Sequence, residues 1–164
     1  MSTADLPLPD DLRQEILTLA GSEHRPRAAS VSALRLVQAR FRWISDRHLA
    51  EVAQLLNMST ADLDGVATYF NLLFRKPVGQ HVFMICDSVC CWIMGCKDLS
   101  DHLCKKLNIR PGETTPDGAI TLLPIVCLGH CDRAPVMLFD ETVHEDVDTA
   151  ALDRLIAEAQ ETPR

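Results

Sequence analysis

The sequence predicts an α+β chain: an N-terminal four-helix bundle over residues 1–75, then a small open α/β domain over residues 81–164. Three observations carry that reading. Apolar residues recur with helical spacing as far as Phe70. Arg75–Gln80 (R-K-P-V-G-Q) then breaks the period with a proline and a glycine. Beyond it, short apolar runs alternate with helical stretches. At 164 residues, 47% of them apolar, the chain is long enough for one cored domain joined to a helical extension.

In the first half, Leu12, Ile16, Leu19 and Ala20 form a helical stripe after Asp10, an N-cap candidate, and Gly21 can end it. A second helix is expected over Ser30–Arg42, with Val31, Leu34, Val37 and Phe41 inward. Ser45 can cap a third, which turns Leu49, Val52, Ala53 and Leu56 to one side. Ser59 and Asp62 form a capping-box-like S-x-x-D before a fourth, with Leu63, Val66, Ala67 and Phe70 buried. In the second half, His81–Cys86 (H-V-F-M-I-C) is a short apolar strand. Asp98–Leu107 is helical and Pro111-Gly112 closes it. Ile120–Val126 and Val136–Phe139 are strands, and Asp148–Gln160 is a closing helix with Leu152, Leu155 and Ile156 inward. Strand, helix, strand, strand, helix is the order of a small α/β domain of thioredoxin-like type, among others.

Charge is unevenly placed. Lys and Arg balance Asp and Glu at nine each in residues 1–80, whereas residues 81–164 carry seven against fourteen, so the net −7 sits in the second half. With no basic stripe to hold phosphates, nucleic acid is not an expected partner. The acidic stretch Asp140–Asp148 reads as a solvated loop, or else as a face for an electropositive partner. No apolar run reaches the about 18 residues of a membrane span, and the start M-S-T-A-D-L-P-L-P-D-D has no leader pattern. A cytoplasmic chain is expected, where reducing conditions make seven cysteines a metal site rather than a disulfide framework.

Four of those cysteines lie in eleven residues, C-D-S-V-C-C-W-I-M-G-C, Cys86 to Cys96. Cys86 ends the first expected strand, with Cys90 and Cys91 in the loop after it. Cys127 follows the strand Ile120–Val126, and Cys131 closes C-L-G-H-C. Two strand-end loops can bring four thiolates together at one edge of a sheet, which suits an iron–sulfur cluster or tetrahedral zinc. The spacing favours iron–sulfur, with zinc and free thiols as alternatives. It also leaves the first pair open, because Cys86 can pair with Cys90 (C-x3-C) or Cys91 (C-x4-C). Gly129 is expected where a wrapping loop must bring N–H groups toward sulfur without Cβ crowding. No C-x-x-C occurs, which disfavours a thiol oxidoreductase. Cys96 and Cys104 read as small buried hydrophobes on one helix face. His130 reads as a loop side chain, or else as a group that tunes a nearby cluster.

The stretches C-D-S-V-C-C-W-I-M-G and L-P-I-V-C-L-G-H-C-D-R-A-P resemble the E-subunit family of bacterial respiratory complex I, the NADH:quinone oxidoreductase. The wider group of 2Fe-2S thioredoxin-like ferredoxins includes small subunits of NAD-linked formate dehydrogenases and hydrogenases. The likeness extends to R-P-R-A-A-S-V-S-A-L, D-G-V-A-T-Y-F-N-L-L-F-R-K-P-V-G and K-K-L-N-I-R-P-G-E-T-T-P-D-G, and so covers most of the chain. It implies a helical N-terminal domain, a thioredoxin-like C-terminal domain and one 2Fe-2S cluster. The family's ligands fall on Cys86, Cys91, Cys127 and Cys131, which makes Cys90 a packing residue. The extra thiols and His130 depart from common family usage.

The function this implies is a non-catalytic, one-electron carrier subunit beside a partner that holds FMN and oxidises NADH. Membrane association would come only through the assembly, in whose peripheral arm the chain would sit. None of the seven glycines falls in G-x-G-x-x-G, so FMN and NADH are expected on the partner only. The alternatives are the equivalent small subunit of an NAD-dependent formate dehydrogenase or hydrogenase and, from a different class, a zinc-stapled interaction module.

Overall fold

A computed structural model of the chain describes residues 6–161. The expectation drawn from the first five residues lies outside the described part. The chain divides into two compact units, Met1–Pro77 and Val78–Arg164.

The first unit is built from α1 (Asp10–Ser22), α2 (Ser30–Phe41), α3 (Asp46–Leu55) and α4 (Thr60–Tyr69), with a 3-10 turn at Pro26–Ala29 before α2. Local chemistry sets their ends. Ser45 Oγ accepts the His48 N–H at 3.1 Å and Ser59 Oγ accepts that of Asp62 at 3.0 Å, satisfying one otherwise unpaired donor at each N-terminus. Asp10, expected as a cap, is instead the first helical residue; Pro9 precedes it, and the Asp10 and Asp11 carboxylates face the positive end of the helix dipole. The helix also runs past Gly21 to Ser22. Arg42 ends α2 in the left-handed region at φ 71°. One core joins Ile16, Leu34, Leu49, Leu56 and Leu63, all essentially sealed from solvent.

Phe70 departs from expectation and is 41% exposed. The helix stops at Tyr69 and Phe70 is extended, so the helical register that would turn its ring inward ends one residue short. Leu73 returns to the core instead. The returning segment is tied down by Gln38, which accepts the Phe74 N–H at 2.6 Å and donates to the Leu72 carbonyl at 2.8 Å. Arg75 donates to Asp64 at 2.8 Å and Asp46 at 2.6 Å, and also to the Ile44 carbonyl.

The second unit is a mixed four-stranded sheet with helices: β1 (His81–Cys86), α5 (Val89–Ile93), α6 (Cys96–Leu107), β2 (Ile120–Ile125), β3 (Met137–Phe139), β4 (Thr142–His144) and α7 (Thr149–Glu161). Strand order is β2-β1-β3-β4. All six residues of β1 are buried, as a central strand with both faces covered requires. It pairs in parallel with β2, from His81 opposite Ile120 to Cys86 opposite Ile125. A parallel pair needs a long crossover, which α5 and α6 supply. Its consequence for the site is direct: β1 and β2 end level with each other, so the segments that follow them leave from one edge of the sheet.

On its other side β1 pairs antiparallel with β3, which follows a cis Ala134–Pro135 bond. Gly79 leads into β1, where a Cβ would meet the Gly118 carbonyl oxygen and the Ile120 nitrogen at 3.0 Å, so any larger residue would have to push that backbone aside.

Three features of this unit differ from the sequence expectation. The segment after β1 is a short helix, α5, rather than a loop. The closing of α6 falls to Asn108 in the left-handed region, ahead of Pro111-Gly112. The acidic stretch after Phe139 is a turn and a strand: Asp140 takes φ 53° and β4 pairs with β3. Asp148 then accepts the Ala151 N–H at 2.7 Å and so caps α7, whose Leu152, Leu155, Ile156 and Ala159 are buried. Among the described residues, no helix is long and apolar enough to cross a membrane.

Candidate metal centre

The level ends of β1 and β2 set out two groups of thiols. Cys86 is the last residue of β1 and Cys91 lies within α5; both are buried, at 2% exposure each. Cys127 and Cys131 follow β2 and are exposed, with their sulfurs 3.3 Å apart. The Cys86 and Cys91 thiols influence each other, and the Cys131 thiol feels Cys90 as well as Cys127. The four thiols expected as ligands thus fall into two pairs. Among the described residues, no three His, Cys, Asp or Glu side chains are already gathered to hold a metal ion.

The two pairs differ electrostatically. Burial pushes the Cys91 thiol up to about 11, with Cys86 adding to the effect. Burial likewise raises Cys96, which also feels Cys86 and Asp87. Cys127 is held low, first by the Gly129 N–H, which donates to its sulfur at 3.4 Å, and then by Cys131. Cys131 is raised to about 12, first by its hydrogen bond with Cys127 and by that neighbour's charge. One thiolate is therefore stabilised in the exposed pair at the expense of its neighbour.

Gly129 has the role expected of it for a different reason. Nothing lies within 4 Å of where its Cβ would be, so crowding is absent; its φ of 87° is what asks for glycine, and that conformation aims its N–H at sulfur. The exposed pair has a support that the sequence reading missed. Cys131 opens a 3-10 turn, Cys131–Arg133, pinned to the end of β4. His130 Nδ1 lies 2.5 Å from Glu145 Oε1, and Arg133 Nε donates to Asp146 Oδ2 at 2.7 Å. The Asp146 N–H reaches back to the Arg133 carbonyl at 2.8 Å. The signal was the pairing of H-C-D-R with H-E-D, two short charged stretches either side of β3. Of the remaining thiols, Cys96 is buried as expected, whereas Cys104 is only half-buried.

Soft thiolate donors from two neighbouring segments, with a backbone N–H already turned toward one sulfur, fit an iron–sulfur group or another soft metal. The gathering of the two pairs would come with the group itself, because sites of this kind form as the metal binds.

Comparison with known proteins points the same way. The family model described as thioredoxin-like [2Fe-2S] ferredoxin matches residues 15–160. The E subunit of NADH-quinone oxidoreductase from Escherichia coli (strain K12) is 46% identical over 131 residues, which are 80% of this chain and 79% of that one. The protein of the same name from Pseudomonas aeruginosa is 40% identical over the same shares. Among solved structures, an NAD+-reducing [NiFe]-hydrogenase in the air-oxidized state superposes with a TM-score of 0.71 at 24% identity. That likeness covers 81% of this chain but only 23% of the hydrogenase chain, and it speaks for the fold alone.

Proposed function

This chain belongs to the thioredoxin-like [2Fe-2S] ferredoxin family, and on that premise we propose that it is a one-electron carrier subunit of an NADH:quinone oxidoreductase. In this reading Cys86, Cys91, Cys127 and Cys131 hold one 2Fe-2S cluster, next to a partner subunit that binds FMN and oxidises NADH. The observation that carries it is the pair of thiol-bearing segments leaving one edge of the sheet, within a family match that spans nearly the whole chain. The likeness to the Escherichia coli relative over four-fifths of both chains favours this assembly over a hydrogenase or a formate dehydrogenase.

When bound, the cluster accepts and passes single electrons; bond-making on NADH falls to a flavin, which can take a hydride and release electrons one at a time. What the chain's own residues contribute is placement. Cys86 and Cys91 fix one side of the site against the core. Cys127 and Cys131, at the surface, place the other side where a redox partner can approach. The Gly129 N–H stabilises negative charge on Cys127 sulfur. We further read residues 1–75 as a four-helix docking bundle and residues 81–164 as the redox domain. The chain itself would be cytoplasmic and reach the membrane only through the assembly.

The test is a reconstitution. The isolated chain, loaded with iron and sulfide, should not oxidise NADH. Mixed with the FMN-bearing partner, it should give a reduced 2Fe-2S signal in electron paramagnetic resonance after NADH is added. Clusters of this type can lie near about −400 mV, as in plant-type ferredoxins, so dithionite serves as the control for full reduction. A colourless protein that retains zinc and no iron would refute the reading, as would NADH oxidation by the flavin-free chain.

A further inference from the structure

Cys127 and Cys131 stand apart from the other expected ligands in contact and in freedom. Their sulfurs lie 3.3 Å apart and both residues are exposed. A disulfide holds its sulfurs about 2 Å apart, so closing this pair needs a shift of about 1.3 Å. The segment can supply it. No residue from Val126 to Cys131 is buried, so the loop moves without withdrawing side chains from the core. Gly129, at φ 87°, sits between the two thiols and gives the backbone room to adjust. The other two have neither property. Cys86 ends the central strand and Cys91 lies within α5, and at 2% exposure each they are out of reach of a dissolved oxidant.

We propose that Cys127 and Cys131 are a redox latch on the loading of the site. With no metal bound, a small-molecule disulfide oxidises them to a disulfide of their own, and the closed pair admits no metal until it is reduced. The step is thiol–disulfide exchange. The Cys127 thiolate, whose sulfur accepts the Gly129 N–H, attacks one sulfur of the small disulfide, breaks its S–S bond and releases one thiolate. The Cys131 thiol gives its proton to that thiolate and attacks the Cys127 sulfur of the mixed disulfide, releasing the second thiolate, which takes a proton from solvent. The chain loses two electrons and two protons, and the small disulfide gains both. Sulfurs bound to a metal are not free to attack, so the latch closes only on a cluster-free chain. The exchange needs only this geometry; its meaning for loading rests on the 2Fe-2S reading above.

The experiment uses the full-length chain, freed of metal and fully reduced. It is incubated anaerobically with oxidised glutathione, denatured, quenched with iodoacetamide and mapped by mass spectrometry of unreduced peptides. The expected product is one internal disulfide, between Cys127 and Cys131, with Cys86 and Cys91 recovered as alkylated thiols. Cys131→Ala should stop at a mixed disulfide of glutathione on Cys127. Cobalt(II), which gives a visible charge-transfer band with thiolate ligands, reads the second half of the proposal. The closed chain should lose that band about tenfold or more, and a phosphine reductant should restore it. No disulfide, a disulfide on another pair, or an internal disulfide formed equally well by Cys131→Ala would overturn the proposal. Equal cobalt absorption before and after closure would overturn it as well. Loading the reduced chain with ferrous iron and sulfide judges the cluster reading separately. A chain that closes the pair as expected yet takes up no iron would defeat that reading and leave the disulfide standing.

Discussion

The backbone N–H of Gly129 donates to the sulfur of Cys127 at 3.4 Å, two residues along the same loop. That bond separates the chemistry of thiols that look alike in the sequence. A thiolate is the reacting form, so a thiol held low reacts at lower pH and one pushed up needs alkali. Cys127 is held low, whereas Cys91 is pushed up to about 11 and Cys131 to about 12. In cluster-free protein, iodoacetamide should therefore modify Cys127 first as pH rises, with Cys131 and Cys91 later. Gly129→Ala should delay Cys127, because alanine resists φ 87° and the N–H would turn away. Mass spectrometry of each cysteine-bearing peptide follows the order; Cys91 reacting first would contradict it.

Ligation can be read from iron content. Cys86→Ser, Cys127→Ser and Cys131→Ser should each strip or badly destabilise the cluster. Cys96→Ala and Cys104→Ala should keep iron near that of the wild type, since neither residue lies in the two pairs. Loss of iron from Cys104→Ala, which is half-buried on α6, would mean that the site had been placed on the wrong residues.

Asp140 supports the strand that ends in Cys86. Its Oδ1 accepts the Val82 N–H and its Oδ2 lies beside His81 Nδ1, both at 2.8 Å. It does so from a left-handed turn at φ 53°, which Asn tolerates and Ala does not. Asp140→Ala should cost about 1–3 kcal/mol of unfolding free energy, and Asp140→Asn less than about 1 kcal/mol. Denaturant melts of the two variants side by side would show the difference, and equal costs would remove the strand-anchoring role.

Metal removal should act unevenly along the chain. A group that binds the folded state alone contributes its binding energy to folding. All seven cysteines lie beyond residue 80, and the helical unit has its own sealed core around Leu34 and Leu63. Hydrogen exchange on cluster-free protein should show lost protection in α5 and the segment after β2, with α2 and α3 unchanged. Uniform loss across both units would count against it.

Much of this architecture was legible in particular residues. Ser45 and Ser59 announce their helices because a serine before an amphipathic run has one obvious use, and His81–Cys86 stands out as an unbroken apolar run. What stayed hidden was short or decided at a distance. Five residues of α5 are too few to show a period, and three-residue β4 is obscured by the acids around it. Phe70 fits the apolar stripe but lies just past the point where the helix stops. At the site, spacing marked both thiol pairs, yet it could not separate Cys90 from Cys91. Adjacent residues differ in where the helix turns them, and only the folded chain shows that Cys91 is the buried one of the two.

The two halves of the site are anchored by bonds of different kinds. Cys86 closes a central strand with ladder partners on both sides, so exposing it requires the sheet to part. Cys131 sits in a three-residue turn held by Glu145 and Asp146, contacts that open locally and weaken with salt. The side of the site that carries Cys131 can therefore open without parting the sheet, and a metal held there would be exposed to solvent from that side first. Ionic strength would act on the rate of that opening more than on the fold around it.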